Sequence, residues 1–192
     1  MKKLFILFLA IAFVACGQTD VEKKADQPVN ADSVKAKSDD KNLETKDYEK
    51  LGAKLMEEET VGNLKIGLKA SDLTSILGKP SEKTKNELWG ADGEYHQTYK
   101  YSKLGVELDM IGKKESDKVI NMITIVSPCD YKTSKGISIG SNYQDVEKAY
   151  KDYLNTEFSY KESIVAGSNY GGVIFSFKNE KVASIFVGAS AE

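Results

Sequence analysis

The chain has 192 residues, 27 basic against 29 acidic, with 41% hydrophobic and 9% aromatic side chains. Every basic residue is a lysine, so the planar fork that grips phosphates and guanine edges is missing, and nucleic acid is excluded as a partner. With Cys16 and Cys129 the only cysteines, a multi-disulfide framework is excluded as well.

The chain opens on Met1-Lys2-Lys3 and then runs without a polar residue over positions 4–15, the positive and apolar regions of a secretory signal. The run is too short for a transmembrane helix, which needs about 20 apolar residues. Directly after it, Val14-Ala15-Cys16-Gly17 resembles the lipobox read by the lipoprotein signal peptidase, with Phe13 where that motif usually carries Leu. The resemblance implies a signal peptide over 1–15, a diacylglycerol on the Cys16 thiol and a fatty acyl chain such as palmitate on the new amino group. Two or three acyl chains at about 0.8 kcal/mol per CH₂ give a stable membrane anchor. Gly17 rather than Asp after the cysteine implies the outer membrane. A lipid on Cys16 leaves Cys129, between Pro128 and Asp130, with no intrachain partner. Its expected state is a partly buried, inert thiol in a turn, with a reactive or dimer-forming thiol as the alternative.

Residues 16–45 are mostly charged, amide and small side chains without an aromatic, too few apolar groups to offset the entropy of ordering. This reads as a disordered tether with a reach of roughly 30 Å. Over 46–60, Tyr48, Leu51, Leu55 and Met56 have helical spacing.

From residue 61 onward the sequence answers itself. Ile66-Gly67 followed by Asp72-Leu73 matches Ile139-Gly140 followed by Asp145-Val146 without a gap, which indicates two units, 61–128 and 129–192. Each opens on a short strand that turns at Gly into a helix. The first helix carries Leu73, Ile76 and Leu77, with Ser71 as expected N-cap and Gly78 and Pro80 as its stop. The second, expected to be longer, starts at Asn142 and carries Val146, Ala149, Tyr150 and Tyr153. Strands follow at 84–89, 94–101, 105–111 and 119–126, and again at 157–165, 173–177 and 182–187. Gly90-Ala91-Asp92-Gly93 and Asn179-Glu180 serve as hairpin turns. Gly105-Val106 corresponds to Gly172-Val173, and Lys118-Val119 to Lys181-Val182. The fold class is therefore α+β: two tandem repeats of a short helical element followed by an antiparallel meander, after a tether.

This doubled pattern, with its Ile-Gly-x4-Asp-[Leu/Val] opening and the Gly-Val strand late in each unit, resembles the β-lactamase-inhibitory-protein-like and SmpA/OmlA (BamE-type) group over about residues 64–188. The resemblance implies an envelope binding fold without catalysis.

Chemistry-bearing motifs are sparse. The single histidine, His96, lacks the partners of a triad or a two-histidine zinc motif and is expected to be solvated on a strand's outward face. Glu107 and Asp109 share one side of a strand and read as its polar face opposite Val106, Leu108 and Met110. Gly167, Gly171 and Gly172 match no phosphate loop and read as a loop between strands. No catalytic residue, metal or cofactor is expected. The candidate binding face is Trp89 with Tyr95, Tyr99 and Tyr101, aromatic side chains of the kind that dominate binding hot spots; the competing reading places these tyrosines in the core. The expected function is a non-enzymatic, membrane-anchored envelope lipoprotein that binds a protein or assists assembly. The alternative is a small hydrolase or ligand-binding lipoprotein whose site is assembled in space.

Overall fold

The structure, a computed structural model, describes residues 47–190. The expected signal peptide over 1–15, the lipobox-like motif with Cys16 and the expected tether over 16–45 lie outside the described residues.

Helix α1 spans Tyr48–Glu58. Asp47 caps it, its carboxylate accepting from the Lys50 amide at 3.1 Å, which satisfies one of the amides a helix start leaves unpaired. α1 lies over the β6–β7 end of the sheet, where Gly52 lets the helix backbone touch the strands: a side chain there would overlap the Gly171 carbonyl. Helix α2 spans Ala70–Leu77, buries Leu73 and stops at Gly78 with φ 77°, a conformation glycine adopts without cost. The cap of α2 is Lys69, without a side-chain bond. Ser71, expected to cap it, falls inside the helix and bonds to Asp72 instead.

Helix α3 is confined to Tyr143–Ala149, shorter than its periodicity suggests. Beyond it the chain is drawn onto a sheet edge: Leu154 bridges Ala166, and the Asn155 amide donates to the Val165 carbonyl at 2.9 Å. Tyr150 is left as the C-cap, fully buried, with its ring 4.8 Å from that of Phe175.

The strands are β1 (Glu82–Lys83), β2 (Glu87–Leu88), β3 (Tyr95–Tyr101), β4 (Val106–Ile111), β5 (Val119–Val126), β6 (Ser163–Ser168), β7 (Gly171–Lys178) and β8 (Lys181–Gly188). They form one antiparallel sheet in the order β1-β3-β4-β5-β8-β7-β6, with β2 also paired to β3. The β7–β8 turn uses Asn179 and Glu180 at φ 52° and 58°, the double positive φ that matches strand twist in a two-residue hairpin. Two expected strands are shifted. The one at 157–165 becomes Ser163–Ser168, because Asn155 and Ser159 organise the preceding residues into turns through their side chains. The one at 84–89 keeps only β2, and β1 lies before it on the other side of Thr84, whose hydroxyl takes the Thr98 amide at 2.9 Å.

Alternation along the strands sends Tyr99, Tyr101, Leu108, Met110, Ile123, Ile125, Phe175 and Ile185 into one buried cluster with Leu55, Leu73 and Val146 of the helices. Each such side chain contributes roughly 1.5–3 kcal/mol by burial. The opposite face carries Thr98, Asp109, Met122, Thr124, Ile174 and Phe186, all only half-buried.

The segments ahead of α2 and α3 meet strand edges alike. Gly67 N–H donates to Ile120 O at 2.8 Å and Ile120 N–H to Leu68 O at 2.9 Å; Gly140 N–H donates to Val182 O at 2.8 Å and Val182 N–H to Ser141 O at 2.9 Å. β4 and β5 change register between Asp109 and Met110, β7 and β8 between Ser176 and Phe177.

Candidate binding surface

The four aromatic candidates do not share one surface. Tyr99 and Tyr101 are 2% and 4% exposed, on the side of β3 that faces the core, so they offer nothing to a partner and leave the proposed face. The Tyr99 hydroxyl donates to Glu115 at 2.7 Å, and the Lys83 ammonium stands 4.0 Å from its ring centre. Burial first, then the neighbouring Glu115 carboxylate, pushes the Tyr99 phenol well above its ordinary range. Trp89 and Tyr95 remain half-buried.

His96 departs furthest from expectation. It is 3% exposed, not solvated, because the Trp89 indole lies flat on it with ring centres 3.7 Å apart and planes 6° from parallel. Its Nδ1 is 2.8 Å from Asp109 Oδ2 and its Nε2 is 2.9 Å from Asp92 Oδ2. Asn121, the extra residue of the β4–β5 bulge, donates to the same Asp109 oxygen at 3.1 Å, as bulges re-aim side chains. The Glu94 amide and His96 hold Asp92 below the usual carboxylate range. A one-dimensional signal existed: Asp92 sits four residues before His96 in the hairpin turn, and Asp109 is one strand away on the matching face.

This arrangement fastens the 89–94 hairpin to β4 and β5. It is not arranged for metal, since the two carboxylates occupy opposite edges of the ring. Among the described residues no group of three or more His, Cys, Asp or Glu side chains could hold a metal ion.

Glu107 is exposed and pairs with Lys100 at 3.7 Å. Cys129 is buried, and desolvation raises its thiol pKa, which suppresses the reactive thiolate. The glycines at 167, 171 and 172 form the β6–β7 hairpin against α1. Sequence reasoning missed Glu59, 1% exposed, whose carboxylate accepts from Ser134 N–H, Thr60 N–H and the Tyr150 hydroxyl at 2.7, 3.1 and 2.8 Å.

The depressions found on the described residues are open to solvent. One of about 270 Å³ is lined by Trp89, His96, Gln97, Thr98, Thr84, Lys85 and Glu87. On the uncovered sheet face, Phe186 is flanked by Thr124 on β5 and Ile174 on β7. Gly188 makes room beside it: a Cβ there would meet Met122 at 2.7 Å and the Phe186 ring at 3.2 Å. Met122, Phe186 and Ile174 thus make an apolar strip across three strands. No helix among the described residues is long and apolar enough to cross a membrane. No protein-family model, curated protein or solved structure matches the chain.

Proposed function

We propose that the protein is a lipid-anchored envelope lipoprotein, held to the outer membrane through Cys16, whose domain binds another protein without catalysis. The observation that carries the binding half of this reading is the uncovered sheet face, where Met122, Phe186 and Ile174 stay half-exposed on a sheet whose other face is filled. Contiguous apolar surface of this kind, rimmed by polar groups, marks interaction sites. The anchoring half rests on the Lys2-Lys3 start, the apolar run and the Val14-Ala15-Cys16-Gly17 motif.

The domain is further read as a duplication, two helix-and-meander units of the β-lactamase-inhibitory-protein-like or BamE-type kind. The equivalent bonds of Gly67 and Gly140 and the two register slips support this. Aligned by these bonds, a duplication would pair Ile120, rather than Val119, with Val182. On this reading β5 and β8 join the units, and the apolar strip crosses that junction.

A photocrosslinking amino acid at Phe186, in the full chain expressed in its own envelope, tests the role. One defined adduct that disappears with Met122→Asp, while the unfolding midpoint holds, supports it. Equal labelling from Phe186 and from Lys178, exposed at the far end of β7, contradicts it.

A further inference from the structure

With Tyr99 and Tyr101 in the core, Trp89 is the one of the four aromatic candidates stacked on the open side of β3, because His96 beneath it points away from the Tyr99 side of that strand. We propose that the depression beside Trp89 is a binding site for one pyranose ring of a glycan. This site goes beyond the protein-binding role and does not depend on the Cys16 lipid.

The platform is built before any ligand arrives. Trp89 is backed by His96 at 3.7 Å, and His96 is fixed at both ring nitrogens by Asp109 and Asp92. An indole so held loses little freedom on binding, and preorganisation of this sort is what gives a small site useful affinity. The C–H face of a sugar ring is the apolar surface that packs on such a plane, while its hydroxyls need donors and acceptors at the rim.

The rim supplies both. The Glu87 carboxylate and the Lys85 ammonium are exposed and carry no ion pair or hydrogen bond among the described residues. Thr98, on the same side of β3 as His96, lines the depression and carries a hydroxyl, whereas Gln97 pairs with Met110 on the core side and its Nε2 donates to Thr84 O at 2.7 Å. The size agrees: about 270 Å³ lies just under the roughly 300–1,000 Å³ of drug-sized pockets, suited to a single ring.

Other ligand classes fit less well. An apolar peptide side chain would desolvate Glu87 and Lys85 without pairing them, which costs free energy. A cation on the indole would meet Lys85, and an anion would meet Glu87. A metal ion would have to displace both carboxylates already on His96.

Trp89 is the only tryptophan, so its emission reports on this site directly. The full chain, purified in detergent, is titrated with cellotriose, chitotriose and maltotriose, with choline chloride and sodium phosphate as controls. At least one trisaccharide should shift the emission with a midpoint of about 1 mM, the affinity that about 12 heavy atoms of one ring support at the efficiency of small ligands. Glu87→Ala and Lys85→Ala, both exposed positions, should weaken that midpoint by about tenfold together while the unfolding midpoint stays in place. Three results would each overturn the proposal: no shift with any trisaccharide up to tenfold above that midpoint, a shift that survives both substitutions, or a larger response to choline or phosphate.

Discussion

The Tyr150 hydroxyl donates to Glu59 Oε2 at 2.8 Å, joining residues 91 positions apart in the chain. Glu59 follows α1 and Tyr150 ends α3, so one buried carboxylate ties α1 to the α3 end of the chain. Tyr150→Phe removes the donor and leaves that oxygen buried. It should cost about 1.5–3 kcal/mol, the range for a hydrogen bond to a charged group, seen as a lower urea midpoint at unchanged slope. An unchanged midpoint would mean that the carboxylate is served some other way.

Tyr150 and Glu115 contribute to stability at opposite ends of the pH range. Burial, then Glu59, raises the Tyr150 phenol far above its ordinary value, so its contribution is whole below the unfolded value of about 10 and fades as pH rises beyond it. Glu115 is destabilised by burial, yet Lys83 and the Tyr99 hydroxyl outweigh this and lower its pKa. Its contribution is present above the unfolded value of about 4.3 and is lost as pH falls through the folded one. Melting temperature should therefore drop on both sides. Tyr150→Phe should reduce the alkaline fall without abolishing it, since burial and Glu115 raise the Tyr99 phenol as well, and Lys83→Met should flatten the acid limb.

Gly52 decides whether α1 can dock. A methyl group there would overlap the Gly171 carbonyl, backbone that cannot rotate aside, so Gly52→Ala should destabilise by about 1–3 kcal/mol as overpacking does. Gly90→Ala, where an added Cβ meets nothing and φ is not in the left-handed region, is the control and should change little. Proteolysis of the two variants separates them, α1 being cut early only in the first.

Much of the strand layout was legible because Val106, Leu108 and Met110 alternate with Glu107 and Asp109, a period only a half-buried strand explains. The α2 stop at Gly78 was legible for the same local reason. His96 was not. Its burial depends on Trp89 folding over it and on Asp109 from another strand, contacts set by hairpin geometry and a bulge rather than by its neighbours Gln97 and Thr98. The same holds for Glu59, which sits in the Glu57-Glu58-Glu59 run as one more surface charge until Ser134 and Tyr150 are brought to it. The tyrosines of β3 illustrate a third case: period two grouped Tyr95, Tyr99 and Tyr101 correctly but could not say whether that side faced helices or water.

The central claim is the lipid on Cys16, and intact-mass spectrometry of the mature chain taken from membranes tests it most directly. The account predicts a chain that begins at Cys16 and carries the added mass of a diacylglyceryl group with or without one further acyl chain, and a Cys16→Ala chain that no longer fractionates with membranes. A mature chain with an unmodified Cys16, or a Cys16→Ala chain that stays membrane-bound, would contradict it.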